Sequence, residues 1–293
     1  MNNILPVFLV IGLGVLVDRT LHVDKRALSR LAVYVLSPCL LFSLISESDI
    51  EPAGFGRMAL FALVCTLAMI VLSVVVGRAL HWPARQVDSL ILSTAFVNSG
   101  NLGLSVILFT YGEVGVALAS AFYVVTNLTS HTLGAFFAAR GQGGTREALR
   151  RVVRLPGPYA FLLAFLLRQL GWHVPDPIIG SVDLVGRASF PILLMLLGIQ
   201  LSQARVAKRY GQVAVGVGLR LVVGSAFAFA VAPLVGLAGM ARSVGIVEAS
   251  TPTAVTSSVM AIEFESDPEY VTGVIFASTL LSSVTLTLLL ALL

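Results

Sequence analysis

The sequence predicts an all-α polytopic membrane protein of ten transmembrane helices, arranged as a 5+5 inverted repeat with helices 4 and 9 broken. Three observations predict it. Of 293 residues, 57% are apolar and only 12% charged, with a mean hydropathy of +0.94, whereas an ordinary soluble domain has about 25% charged residues. A bilayer core about 30 Å thick takes about 20 apolar residues per helix, and windows of that kind recur ten times. Two of them, in matching positions of the two halves, are interrupted by polar and helix-breaking residues.

The predicted spans lie near residues 3–18, 27–46, 54–78, 87–112, 114–138, 157–171, 177–202, 210–235, 241–265 and 269–292. The first has no Lys or Arg before it and "DRTLHVDKR" after it, the reverse of a signal peptide's charge order, and is read as a retained helix. Cys39 and Cys65 both fall inside spans and read as small buried apolar residues. The loops after helices 1, 3, 5, 7 and 9 carry 14 Lys and Arg against 3 on the opposite face, Arg57, Arg168 and Arg242. The positive-inside rule therefore places the basic loops in the cytoplasm and both termini outside. The five arginines of the 140–156 loop read as orientation signals and a lipid-surface contact rather than a nucleic-acid site.

An offset of 153 residues lays the second five helices on the first five: Pro38 falls on Pro191, and "FVNSGNLGLS" (96–105) on "ASTPTAVTSS" (249–258). Five is odd, so two such halves enter the membrane from opposite sides, the architecture in which transporters alternate access around a midplane site. The first repeat is then 1–139, the cytoplasmic loop 140–156 and the second repeat 157–293.

In helix 4 the break comes from Gly100 and Gly103, which loosen the helix, and in helix 9 from Pro252, which removes an amide and clashes with the preceding turn. The second half of each starts near the midplane with its positive end facing the other, an arrangement that favours an anion, most simply a carboxylate. The candidate substrate-binding residues are Asn98, Ser99, Gly100, Asn101, Thr251, Pro252, Thr253 and Thr256. Neither break holds a Lys or Arg. The alternative is that these small polar residues only let helices approach and bond across an interface. Glu248, four residues before Pro252, is an intramembrane acid and so a functional candidate. It either carries a coupling proton, helps to coordinate a cation, or is a neutral or paired structural acid. Asp183 and Arg187, spaced i, i+4, most simply neutralise each other. Asn127 with His131 on helix 5 is a weaker pathway candidate, and Arg220 on helix 8 is read as bonding across helices. Glu263 and Glu265, at the cytoplasmic end of helix 9, read as solvated.

At these residues the sequence resembles the auxin efflux carrier family, which includes plant auxin carriers and bacterial carriers of malonate, malate and similar acids. The resemblance covers the whole chain and rests on "PCLLFSLIS" (38–46), "NSGNLGLSVILFTYGEVGVALA" (98–119) and "EASTPTAVTSSVMAIEFESDPEYVTGVIFASTLLSSVTL" (248–286). It implies a fold like that of sodium/proton antiporters and bile-acid symporters. Helices 1, 2, 6 and 7 would form a scaffold domain, and helices 3–5 and 8–10 a transport domain. It also implies a homodimer in a bacterial-type inner membrane and a substrate contact at Asn98. Where many members have a proline beside that asparagine, this chain has Val97.

The expected function is secondary transport of a small organic acid, with no cofactor beyond a coupling proton or sodium ion and no nucleic-acid partner. The alternatives are a non-transporting sensor of an organic acid and a sodium-coupled bile-acid-type symporter. No His-Glu-x-x-His pattern, paired intramembrane aspartates or Ser/His nucleophile motif marks an intramembrane enzyme.

Overall fold

The computed structural model describes residues 4–21, 23–47, 52–138, 156–203, 209–263 and 266–293. The basic loop from 140 to 155 and Glu265 lie outside the described residues. Among those described, all regular structure is helical apart from one isolated bridge between two extended residues. With no water in hydrocarbon to take up backbone groups, a helix satisfies them within its own segment.

In chain order the helices are α1 (Leu5–Leu21), α2 (Lys25–Leu31) continued through a π turn into α3 (Ser37–Ser46), α4 (Pro52–Ala79), α5 (Ala84–Thr94) and α6 (Leu104–Thr129). A short α7 (Ala135–Ala138) extends α6 through another π turn. Then come α8 (Pro156–Gln169), α9 (Asp176–Arg187), α10 (Ser189–Ser202), α11 (Tyr210–Gly218) and, past a π turn at Leu219–Val223, α12 (Gly224–Leu234). The last are α13 (Gly239–Ala249), α14 (Thr256–Glu263) and α15 (Pro268–Leu292), whose first turn Asp267 caps by accepting from the Tyr270 amide at 3.2 Å.

Among the described residues, six stretches are long and apolar enough to cross a membrane. One of them, Ser99–Ala138, has 40 residues, twice what a bilayer core takes. The chain divides it at Gly112, whose φ of 67° is left-handed and open to glycine without a Cβ penalty. The expected spans 87–112 and 114–138 meet at this glycine. The other helices are short, such as α1 and α8, or are the halves of a broken helix, such as α5, α13 and α14.

Packing follows from small residues at crossings. A Cβ on Gly14 would strike the Met195 carbonyl oxygen and one on Gly198 the Ile11 carbonyl oxygen, so α1 and α10 touch backbone to backbone. Lipid supplies no hydrophobic drive between helices, and such close approach is what association there uses. The nearby carboxylate of buried Asp18 accepts from Gln203 Nε2 at 2.6 Å, tying the ends of the same two helices.

Candidate substrate site

The π segment Ser99–Gly103 opens the helix that continues as α6, and residues 95–98 separate it from α5. Residues 250–255 separate α13 from α14 in the same way. The two unwound stretches pair. The Asn98 amide donates to the Pro252 carbonyl at 2.8 Å and the Ala254 amide to the Phe96 carbonyl at 2.9 Å, forming an antiparallel bridge between Val97 and Thr253. Unwound backbone buried in the protein would otherwise leave several polar groups bare. Each broken helix therefore completes the other.

The helix ends are accounted for in detail. At the C-terminal end of α13, the Glu248 carbonyl accepts from the Thr251 amide at 3.2 Å and the Thr251 hydroxyl at 2.7 Å. At the end of α5, the Ser93 carbonyl accepts from the Thr253 hydroxyl at 2.5 Å, and Ser278 donates to that hydroxyl at 3.4 Å. The carbonyls of Thr94 and Ala249 both accept from the Arg220 guanidinium, the first at 2.6 Å. At the other ends, the amides of Leu102 and Gly103 turn back to the Asn98 carbonyl at 3.3 and 3.0 Å.

The structure brings Asn98, Ser99, Gly100, Asn101, Thr251, Pro252 and Thr253 together around this crossing. It divides them by what their polar atoms already do. The hydroxyls of Thr251 and Thr253 serve the helix ends, and Ser99 shares a hydrogen bond with Thr126 at 2.8 Å. Buried Asn98 keeps its side-chain Nδ2 without a partner among the described residues, as do the hydroxyls of Ser250 and Ser257. Thr256 is exposed on the far face of α14's first turn. Ser257, one residue on, is the buried hydroxyl of that turn.

Glu248 is fully buried on α13, with both carboxylate oxygens unpartnered among the described residues. Its carboxylate lies against Gly103, where a Cβ would overlap it. Of Asn127 and His131, His131 Nδ1 pairs with the Asn127 carbonyl at 2.9 Å, within their own helix. Asn127 lines a small cleft with Ser37, Tyr123 and Gly157. Glu263 ends α14.

Two residues do more in the structure than their sequence context suggests. Arg220 does bond across helices, but the helices are the two broken ones. Its signal was a lone cation in a long apolar run, which by default marks a site. Glu113, just past the Gly112 turn, reaches Arg187 at 2.6 Å, and Asp183 holds the same guanidinium at 2.6 Å. This triad rims a cavity of about 270 Å³ lined by Leu40, Leu108, Phe109, Phe190 and Leu194. The i, i+4 pairing was readable; a partner 74 positions away was not.

The family model described as "Membrane transport protein" matches residues 1–290. A protein of Methanothermobacter thermautotrophicus described as an uncharacterized transporter is 28% identical over 272 residues, 90% of this chain and 88% of that one. A putative malonate transporter of Rhizobium meliloti is 24% identical across 97% of this chain and 92% of its own. Auxin efflux carrier component 8 of Arabidopsis thaliana is 31% identical over 137 residues, 44% of this chain and 37% of its length. The apolar helices make the chain a multi-pass membrane protein, and the full-length match carries the rest: it belongs to the membrane transport protein family, with the auxin efflux carriers, and is a transporter rather than an enzyme.

Proposed function

We propose that the protein is a secondary carrier of a small organic anion, which binds where the two broken helices cross. The observation that carries this is the hydrogen-bonded pairing of residues 96–98 with 252–254, beside a buried Asn98 amide group with an unspent donor. A backbone opened at membrane depth is tolerated where it is packed in protein or lines a pathway. An unspent amide donor beside two helix N-terminal ends suits a carboxylate. Asn98, Gly100 and Asn101 on one side and Ser257 on the other would hold it. Neutral donors bind weakly enough for release. The name of the Rhizobium meliloti relative makes malonate the first acid to try.

Several features support the ten-helix inverted arrangement. Helices α5 and α13 each have 11 residues, and their last residues, Thr94 and Ala249, are 155 positions apart, close to the sequence offset of 153. Contacts between residues far apart in sequence join loops of like parity. The Arg85 side chain, in the first turn of α5, donates to the Ser266 carbonyl at 2.7 Å, and Arg209, before α11, pairs with Asp267 at 2.7 Å. On the other parity, Arg57 meets the Gly236 carbonyl. This is the grouping that the basic loops gave, with both termini outside.

In this reading helices 3–5 and 8–10 move as a transport domain against a scaffold of helices 1, 2, 6 and 7, which also makes a homodimer. Glu248 carries the coupling proton, since an unpartnered carboxylate at this depth is costly when ionised. The test is uptake of labelled malonate and related acids into proteoliposomes preloaded with the unlabelled acid. Exchange supports a carrier. Binding without exchange fits a sensor and ends this proposal.

A further inference from the structure

Arg220 stands on the π turn Leu219–Val223 between α11 and α12 and is 2% exposed. Its Nη1 donates to the Thr94 carbonyl at 2.6 Å and its Nη2 to the Ala249 carbonyl. These are the last residues of α5 and α13. Room for the guanidinium depends on Gly224, where a Cβ would stand 2.6 Å from Nη2. No acidic side chain among the described residues pairs with it. A charge taken this far from water needs compensation, and here the compensation is two helix ends.

We propose that Arg220 is a resident cation: it fills, from within the chain, the position at which the two converging C-terminal ends would otherwise hold a metal cation. Each helix C-terminus carries roughly half a negative charge, so two of them match one guanidinium. In broken-helix transporters, unwound carbonyls and half-helix C-terminal ends are what coordinate sodium. The planar fork of arginine serves two separate acceptors, which the single ammonium of lysine does less well. The crossing then has a permanent positive charge bound to both half-helices, and it needs no sodium there. This deepens the carrier reading and rests on it for its place in transport, though the cation site itself is a statement about binding alone.

The experiment is thermal melting of the full-length protein in detergent at constant ionic strength, varying sodium, N-methylglucamine or guanidinium as the chloride salt at millimolar concentrations. The wild type should melt at the same temperature in all three. Arg220→Ala should melt lower and regain stability saturably with guanidinium, by about 3 °C, the order of shift that a ligand well above its Kd gives a protein of this size. Arg187→Ala, which removes a cation from the exposed triad instead, should show no such regain. Arg220→Lys should keep part of the wild-type melting temperature. A saturable sodium stabilisation of the wild type overturns the proposal, and so does an Arg220→Ala protein no more responsive to guanidinium than Arg187→Ala. If Arg220→Ala does not fold, the wild-type sodium series and Arg220→Lys decide: sodium stabilising either one overturns it. None of these readouts uses transport, so a protein that passes them yet exchanges no acid sinks the carrier reading alone.

Discussion

The Glu248 carboxylate packs directly against the α-carbon of Gly103, joining the end of one broken helix to the restart of the other. A Cβ there would overlap the carboxylate, so the Glu248 side chain would have to shift within its buried site. Gly103→Ala should lower stability by about 1–3 kcal/mol, the cost of overpacking. Combining it with Glu248→Ala, which vacates that volume, should cost less than the two single changes added, because contacting residues couple. Melting of the four proteins measures the cycle, and additive effects would mean that the two groups do not touch.

The Val97–Thr253 bridge uses the amides of Asn98 and Ala254 and the carbonyls of Phe96 and Pro252. The amide of Val97 is not part of it. Val97→Pro should therefore fold and transport, within about 1 kcal/mol of the parent. Ala254→Pro deletes a bridge donor and strands the buried Phe96 carbonyl, at about 1–3 kcal/mol. Melting and uptake of the two variants give the comparison. The missing proline beside Asn98, a departure in sequence, leaves the hydrogen bonding of the break intact.

Glu113 and Asp183 share Arg187, which is 55% exposed. Exposed pairs of this kind contribute about 0–1 kcal/mol, so Glu113→Gln should hardly change melting. The Glu113 contact nevertheless joins the turn after the first broken helix to α9, across the boundary between the proposed moving and fixed domains. Its loss should raise the exchange rate severalfold. An unchanged rate would show that Arg187 is held by Asp183 alone.

Thr253 and Thr256 lie three positions apart with opposite surroundings. Thr253→Val removes a buried hydroxyl that serves the Ser93 carbonyl and Ser278, and should cost about 1–3 kcal/mol. Thr256→Val, at an exposed position, should stay within about 0.5 kcal/mol. Melting of the two variants checks both values.

The breaks were legible in the sequence because Gly100, Gly103 and Pro252 act locally: they change what the backbone can do wherever they stand. The turn at Gly112 was legible for the same reason. Which hydroxyls remained unspent was not. Thr251 and Thr253 look like free donors in a row of letters, and only the crossing reveals the helix-end carbonyls that use them. Thr256 and Ser257 differ by one position in a helix, about 100° of rotation, and a boundary uncertainty of a residue or two is enough to exchange their faces. Arg220 and Glu113 take their meaning from partners 126 and 74 positions away, which no local pattern encodes.

In the proposed function an organic anion binds and is exchanged at the crossing through Asn98. Counterflow of labelled malonate and related acids in proteoliposomes, with the parent and with Asn98→Ala of matched melting temperature, tests it most directly. The parent should exchange at least one acid, and Asn98→Ala should exchange it at least about tenfold more slowly, as expected for loss of a charge-assisted hydrogen bond of about 1.5–3 kcal/mol. Exchange by Asn98→Ala at the parent's rate, or no exchange of any acid by the parent, would contradict it.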